Sequence, residues 1–333
     1  MKKIRIAFTD FWNSFDPYNN YFINILKKDY EVEVVNEISK VQYLFFSCFG
    51  YEHLKYSCIK IFYTGENFVP DFNLCDYAIG FEHMDYGDRY IRMPLYLVDF
   101  RDDYEHMLAI RDSIKPRQKF CSFVATNNAE ADGMRKKIFD KLSEYKKIDA
   151  GGRYLNNIGQ PDGIEDKQKF QEQYRFSLAI ENSSHSGYCT EKIVQAFAAG
   201  TIPIYWGDPR VGEYFNEKAF INCNKYETIA DIVGEVRRID SNEEVYNEMI
   251  KEPVLNTSEK SLQQYDERFK HWLDNIIMQP YDKAYRRSIY GKEMVYRKQL
   301  EQWIKDEKEY TDFKQKSFIR KIIILIARKK YRK

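Results

Sequence analysis

A polar loop with the sequence ENSSHSGY, Glu181 to Tyr188, connects two segments of different character. The apolar run Phe176–Ile180 before it predicts a buried strand, and the stretch after Thr190 predicts a helix. A loop that leaves the carboxyl end of a strand and enters a helix presents backbone N–H groups and the positive end of the helix dipole to an anion. The sequence therefore predicts an anion site here that suits a diphosphate.

Two charged residues, Glu191 and Lys192, stand in the first turn of the predicted helix. From there Lys192 can neutralise phosphate charge, and Glu191 can accept hydrogen bonds from the hydroxyls of a sugar or ribose. The alternative is that Glu191 compensates the helix dipole and Lys192 is solvated. The residues alone leave both interpretations open.

Alternating strand and helix patterns indicate an α/β protein. A chain of 333 residues exceeds the usual size of a single core, which favours two domains. The first part carries a helical stretch at Tyr18–Lys28 and apolar runs that predict a mostly parallel sheet. Its expected strands are Ile4–Thr9, Glu31–Val35, Tyr43–Phe46, Ile59–Tyr63 and Tyr77–Gly80. The segment SIKPRQ, Ser113 to Gln118, has the composition of a linker.

A second α/β unit is expected to start at the apolar run Phe120–Ala125. In it, Thr190 is placed to cap the helix after the loop, and Gly200 is placed to end it. Its other expected elements are a helix at Ala129–Lys146, strands at Phe176–Ile180, Thr201–Tyr205 and Phe220–Asn222, and an amphipathic helix at Lys260–Met278. We expect domains at 1–116 and 117–280, each Rossmann-like, with ligands between them at the carboxyl ends of the strands.

The stretch FSLAIENSSHSGYCTEKIVQAFAAGTIPIYWGDP, Phe176 to Pro209, resembles the donor-binding signature of the bacterial α-1,3/4-fucosyltransferase family, which uses GDP-fucose and has the GT-B fold. The elements Glu-Asn-Ser, Tyr-x-Thr-Glu-Lys and Gly-Thr-x-Pro-Ile-Tyr-Trp-Gly occur in the family's order and spacing. The block from Phe62 to Tyr96 is similar to the N-terminal signature of the bacterial members. The resemblance implies two facing parallel-sheet domains, with the acceptor bound by the first and the donor by the second.

The resemblance also implies roles for individual residues. Glu66, in the sequence TGEN, matches the carboxylate proposed as general base, although the same sequence is typical of a turn carboxylate. Arg135 matches an arginine on the diphosphate. The remaining donor-contacting positions are matched by Asn182, Tyr188, Glu191 and Lys192.

Other polar residues carry weaker signals. Asp85, Asp88 and Arg89 either shape the acceptor cleft or cap a turn. His185 is expected to be a solvated loop residue, because the five histidines show no metal-ligand spacing. No Asp-x-Asp pair occurs, so we expect no metal and no cofactor, with protein cations holding the diphosphate.

Residues 281–333 are predicted to form a charged helical extension with a basic tail. Between Lys314 and Lys333 there are nine Lys or Arg and no acidic residue, whereas the whole chain has a net charge of +1. The tail Ser317–Lys333 joins these bases to an apolar segment, which suits shallow insertion at an anionic inner-membrane surface. A terminal helix docked on the domain is the alternative.

The short apolar run at the N-terminus and the six scattered cysteines favour a cytoplasmic protein attached peripherally to that membrane. The expected activity is inverting transfer of fucose from GDP-fucose to a β-galactosyl-N-acetylglucosamine-type acceptor, with α-1,3 linkage favoured, in surface polysaccharide or Lewis-type antigen synthesis. Two alternatives stay open: another nucleotide sugar or an O-antigen or capsule acceptor, and a non-catalytic glycan-binding protein at the membrane.

Overall fold

The computed structural model describes residues 1–110, 117–126, 133–288 and 290–330, and within them two parallel sheets lie one after the other along the chain. The first sheet has the strand order β2-β1-β3-β4-β5-β6, and every pairing is parallel. Its strands are β1 (Lys2–Thr9), β2 (Tyr30–Val34), β3 (Tyr43–Phe46), β4 (Ile59–Tyr63), β5 (Tyr77–Gly80) and β6 (Tyr90–Arg92). The residues of β3, β4 and β5 are buried on both faces, as their continuous apolar sequences predict.

The second sheet has the order β11-β10-β9-β7-β8 and is also parallel throughout. Its strands are β7 (Lys119–Phe123), β8 (Ile148–Ala150), β9 (Tyr174–Ile180), β10 (Ile202–Trp206) and β11 (Ile221–Asn222). Because β9 is the central strand, the loop that follows it opens at the middle of the sheet edge.

Ten α-helices connect and cover the sheets within the described part of the chain. They are α1 (Tyr21–Leu26), α2 (Arg101–Ala109), α3 (Met134–Ser143), α4 (Lys167–Gln171), α5 (Glu191–Ala198), α6 (Ile229–Asp240), α7 (Glu243–Lys251), α8 (Leu262–Met278), α9 (Tyr281–Ala284) and α10 (Lys292–Lys330). In the described residues, no helix is both long enough and apolar enough to cross a membrane.

Helix α8 follows the second sheet in sequence but packs against the first. Its apolar side chains recur at helical spacing and join the core of the first sheet: Tyr265, Phe269, Trp272, Leu273, Ile276 and Ile277. Polar contacts fix its position, since Tyr30 donates to Asp274 at 2.8 Å and the indole N–H of Trp272 donates to the Asp88 carbonyl at 2.8 Å. The same apolar cluster continues through α2 and α5 to β9 and β10, so the two sheets share a packed interface.

The parallel-sheet, two-unit architecture and the helical C-terminal region are confirmed. Periodicity did not predict the short strands β6 and β8, which have three residues each. Gly200 follows the end of α5 with φ +67°, as expected of a residue that ends a helix. Parts of three predicted segments lie outside the described residues: 113–116 of the linker, 129–132 of the helix at Ala129–Lys146, and the end and most side chains of the tail.

Candidate active site

A cavity of about 310 Å³ opens between the two sheets at the carboxyl ends of β4, β7 and β9. The first domain contributes Gly65, Glu66 and Leu95. The second contributes Phe123, Val124, Ala125, Thr126, Arg135, Lys167, Gln171, Leu178, Ile180, Asn182, Tyr188, Thr190, Glu191 and Lys192. The six residues predicted for catalysis and donor binding therefore meet in one place, although they come from distant parts of the sequence.

Glu66 lies on the loop after β4. Its backbone N–H donates to the Thr64 hydroxyl at 3.0 Å, which holds the turn. At Gly65 an added Cβ would lie 2.4 Å from a methyl carbon of Leu95, so the loop passes close to this side chain. The Glu66 side chain is exposed and borders the cavity that Lys192 also borders. This is the arrangement that a base facing a cationic pocket requires.

Arg135 is 5% exposed and lies at the start of α3. Its Nε donates to the Ile180 carbonyl at 3.1 Å, and a terminal nitrogen donates to the Asn182 side-chain oxygen. Burial lowers the pKa of the Arg135 guanidinium. The end of β9 therefore orients Arg135, and the hydrogen bond between Arg135 and Asn182 fixes these two predicted donor-binding side chains relative to each other.

Glu181 is the buried centre of the site. It is fully buried, and its carboxylate accepts from the Thr190 N–H at 2.8 Å and from the Thr190 hydroxyl at 2.7 and 2.9 Å. Lys192 Nζ lies 2.8 Å from the same carboxylate and 3.3 Å from Glu191. Burial alone would lower the pKa of Lys192, but Glu181 and Glu191 hold it above its ordinary value.

One prediction about this loop needs correction. Thr190 occupies the cap position of α5, but its hydroxyl donates to Glu181 instead of accepting from the helix. The Thr190 N–H at the N-terminus of α5 already donates to the protein's own carboxylate. Glu181 is the first residue of the Glu-Asn-Ser motif, but the sequence did not show that its side chain is buried.

Lys167 on α4 was not predicted. It lines the cavity, and its Nζ donates to Gln195 at 2.6 Å. Lys192 and Lys167 lower the pKa of Glu191 to about 2, against the effect of burial, which alone would raise it. Glu191 therefore stays ionised beside two lysines. Nothing in the local sequence marks Lys167, because it sits on a five-residue helix without a recognisable motif.

The loop after β9 is also tied to the first domain. Tyr188 is 2% exposed and packs edge to face on Phe81 at 5.2 Å between ring centroids. His185 Nε2 lies 2.6 Å from a carboxylate oxygen of Glu82, so this partly exposed loop residue also contacts the first domain. Burial raises the pKa of the Tyr188 hydroxyl, which keeps it protonated as a hydrogen-bond donor.

Asp85, Asp88 and Arg89 do not line this cavity, and their contacts favour the alternative of a structural turn. Arg89 donates to the carbonyls of Asp76 and Cys75 at 2.8 and 2.9 Å. Asp88 pairs with Arg286, and Asp85 accepts from the Gly87 N–H at 3.1 Å. These residues hold the loop between β5 and β6.

Among the described residues, no group of three or more His, Cys, Asp or Glu side chains could hold a metal ion. The cations that face the cavity from the second domain are Arg135, Lys167 and Lys192. Because phosphate oxygens form strong charge-assisted hydrogen bonds with such groups, this wall can bind a diphosphate.

Two parallel-sheet domains that face each other across a cleft, with cations on one wall and a carboxylate on the other, define a glycosyltransferase of the GT-B type. Sequence models of two family domains match the chain: the N-terminal domain of α-(1,3)-fucosyltransferase FucT at residues 6–99, and the C-terminal part of glycosyltransferase family 10 (fucosyltransferase) at residues 114–271. The chain belongs to this fucosyltransferase family.

Individual relatives support the same family assignment. The chain is 35% identical to an α-(1,3)-fucosyltransferase FucT of Helicobacter pylori, over 60% of this chain and 48% of the relative. It is 29% identical to a putative fucosyltransferase of Acanthamoeba polyphaga mimivirus, over 62% of this chain and 36% of the relative. It thus spans about half or less of these relatives. A crystal structure of an α1,3-fucosyltransferase with GDP-fucose superposes with a TM-score of 0.69 at 28% identity, covering 84% of this chain and 93% of the other.

Proposed function

We propose that this protein transfers L-fucose from GDP-fucose to a hydroxyl of a β-galactosyl-N-acetylglucosamine-type glycan, with α-1,3 linkage and inversion at the anomeric carbon. The observation that carries the proposal is the shared cavity, which has Glu66 on one wall and Arg135, Lys167 and Lys192 on the other. The similarity to an α1,3-fucosyltransferase solved with GDP-fucose supports the choice of donor.

In the proposed reaction Glu66 takes the proton from the acceptor hydroxyl. That oxygen forms a bond to the anomeric carbon of fucose, while the bond from this carbon to the β-phosphate oxygen breaks and GDP leaves with the electron pair. Negative charge grows on the departing diphosphate, where Arg135 and Lys192 stabilise it, and Asn182, Tyr188 and Glu191 position the donor. Cleft closure over the substrates would exclude water from the oxocarbenium-like transition state.

The central test is Glu66→Gln, because an amide of the same shape cannot accept the proton. A positioned general base typically contributes about 10²–10⁴-fold, so kcat is expected to fall by roughly that factor while the KM for GDP-fucose changes little. Glu52→Gln, an exposed carboxylate paired with Lys55 on the same domain, is the matched control and should keep full activity.

The assay uses GDP-fucose, an N-acetyllactosamine acceptor and linkage analysis of the product by NMR. Release of GDP from GDP-mannose, with none from GDP-fucose, would reject the donor assignment. Donor binding that survives Arg135→Ala and Lys192→Ala, with no turnover by the wild type, would favour a non-catalytic glycan-binding protein instead.

The tail carries a second part of the proposal. We propose that the basic end of α10 binds the anionic inner face of the cytoplasmic membrane, near a lipid-linked acceptor, because its charge is entirely positive from Lys314 onward. Flotation with vesicles containing phosphatidylglycerol should carry the full chain, and a variant ending at residue 316 should stay in the soluble fraction. Equal flotation with neutral phosphatidylcholine vesicles would contradict an electrostatic attachment.

A further inference from the structure

A second cavity, of about 540 Å³, lies on the side of Glu66 that belongs to the first domain. It shares Gly65, Glu66 and Leu95 with the cavity between the sheets. A group held in this second cavity therefore lies beside the proposed base, and none of the three cations of the first cavity lines the second. A volume of this order can hold one or two sugar rings.

Three of the seven residues that line this cavity are aromatic. Trp12 and Phe49 face each other edge to face, with 6.3 Å between ring centroids, and Phe100 adds a third ring. Phe49 remains 50% exposed, an unusual state for a phenylalanine beside a packed core. Trp12 is supported from behind, because Phe11 and Phe15 lie 5.6 and 5.3 Å from it. The rings thus form a rigid apolar platform that is open to ligand.

One carboxylate other than Glu66 borders this platform. Asp99 accepts from the Tyr63 hydroxyl at 2.6 Å through one oxygen, and its second oxygen has no hydrogen-bond partner among the described residues. Asp99 is exposed to solvent, although desolvation by the surrounding protein raises its pKa to about 6, so the carboxylate is mainly ionised at neutral pH. Tyr63 fixes its orientation, which leaves a preformed acceptor for ligand hydroxyl groups.

Aromatic faces combined with a fixed carboxylate suit a pyranose, whose C–H face packs on rings while its hydroxyls donate hydrogen bonds. Resting on the proposed function, we infer that this cavity, the aromatic pocket of Trp12, Phe49 and Asp99, binds a sugar ring of the acceptor and delivers its hydroxyl to Glu66.

A third cavity competes for the same role. It also borders Glu66 and Phe49, but it includes Phe68 and neither Trp12 nor Asp99. Phe68 is 51% exposed, which matches Phe49, so Phe68→Ala is a control of equal size, chemistry and exposure. Because Phe49 borders both cavities, Asp99→Asn and Phe68→Ala are the two substitutions that separate them.

The experiment measures steady-state kinetics with N-acetyllactosamine as acceptor, together with hydrolysis of GDP-fucose in its absence. Phe49→Ala and Asp99→Asn should each raise the acceptor KM about tenfold, because the first removes a stacking contact and the second a charge-assisted contact. The KM for GDP-fucose and the hydrolysis rate should stay within twofold of wild type. Phe68→Ala should leave the acceptor KM within twofold. Unchanged hydrolysis also shows that a variant is folded.

Other outcomes have distinct meanings. An acceptor KM unaffected by Asp99→Asn, in an active enzyme, overturns the inference, as does an increase of similar size with Phe68→Ala, whatever Phe49→Ala does. If the wild type neither transfers nor hydrolyses fucose, the proposed function fails. The pocket is then tested directly by saturation-transfer NMR with N-acetyllactosamine, and a signal that persists in Asp99→Asn and Phe49→Ala rejects it.

Discussion

Replacing Glu181 with glutamine tests whether a buried carboxylate organises the cationic wall. The side chain is fully buried and accepts hydrogen bonds from the Thr190 N–H and hydroxyl, while Lys192 lies 2.8 Å away. Glutamine keeps the shape and one acceptor oxygen, but it removes the charge that compensates Lys192. Removing one partner of a buried ion pair costs roughly 3–5 kcal/mol, and the retained oxygen favours the lower figure.

At roughly 2 °C per kcal/mol for a chain of this size, Glu181→Gln should lower Tm by roughly 6 °C. The control is Asp140→Asn, which breaks the exposed Lys136–Asp140 pair and should cost less than about 1 kcal/mol. Calorimetric scans give Tm, and titration with GDP gives the affinity. We expect GDP to bind more weakly to Glu181→Gln, because Lys192 loses the group that positions it.

The double variant Glu181→Gln/Lys192→Gln distinguishes charge compensation from simple packing. Because it removes both charges, it should recover part of the stability lost in the Glu181 variant, although GDP binding stays weak. A Tm for Glu181→Gln within the range of Asp140→Asn, or strictly additive losses in the double variant, would refute the assigned role.

Three further predictions concern other parts of the molecule. Lys167→Met should raise the KM for GDP-fucose roughly tenfold or more in kinetic assays, since a charge-assisted contact is lost, whereas Lys169→Met, an exposed change on the same helix, should have no effect. Burial lowers the pKa of Lys60 to about 7, so above that pH the unfolded chain binds more protons than the folded chain. The free energy of unfolding should therefore rise between pH 7 and 10.5, by at most about 1.4 kcal/mol per pH unit. Urea titrations should show that this contribution is missing in Lys60→Met. Excess EDTA should leave transfer activity unchanged, and a loss restored by added Mg²⁺ or Mn²⁺ would contradict diphosphate binding by protein cations alone.

Much of the architecture could be predicted from local pattern. The runs at Tyr43–Phe46, Ile59–Tyr63 and Tyr77–Gly80 are strands with the bounds expected from their continuous apolar sequences. Such strands are buried on both faces of a parallel sheet, which leaves a strong local signal. The strands at Tyr90–Arg92 and Ile148–Ala150 were missed, because three residues are too few to show a period.

By itself the sequence determined the fold class, the loop after the central strand and the family signature, since all three lie in local spacing and residue type. Only the tertiary structure decided that Glu66 shares a cavity with Lys192, that Lys167 joins the cationic wall, and that Asp88 belongs to a structural turn. The physical reason is that these contacts join residues far apart in the chain. Their distances depend on how the two sheets pack across α2 and α5, which no short stretch of sequence encodes.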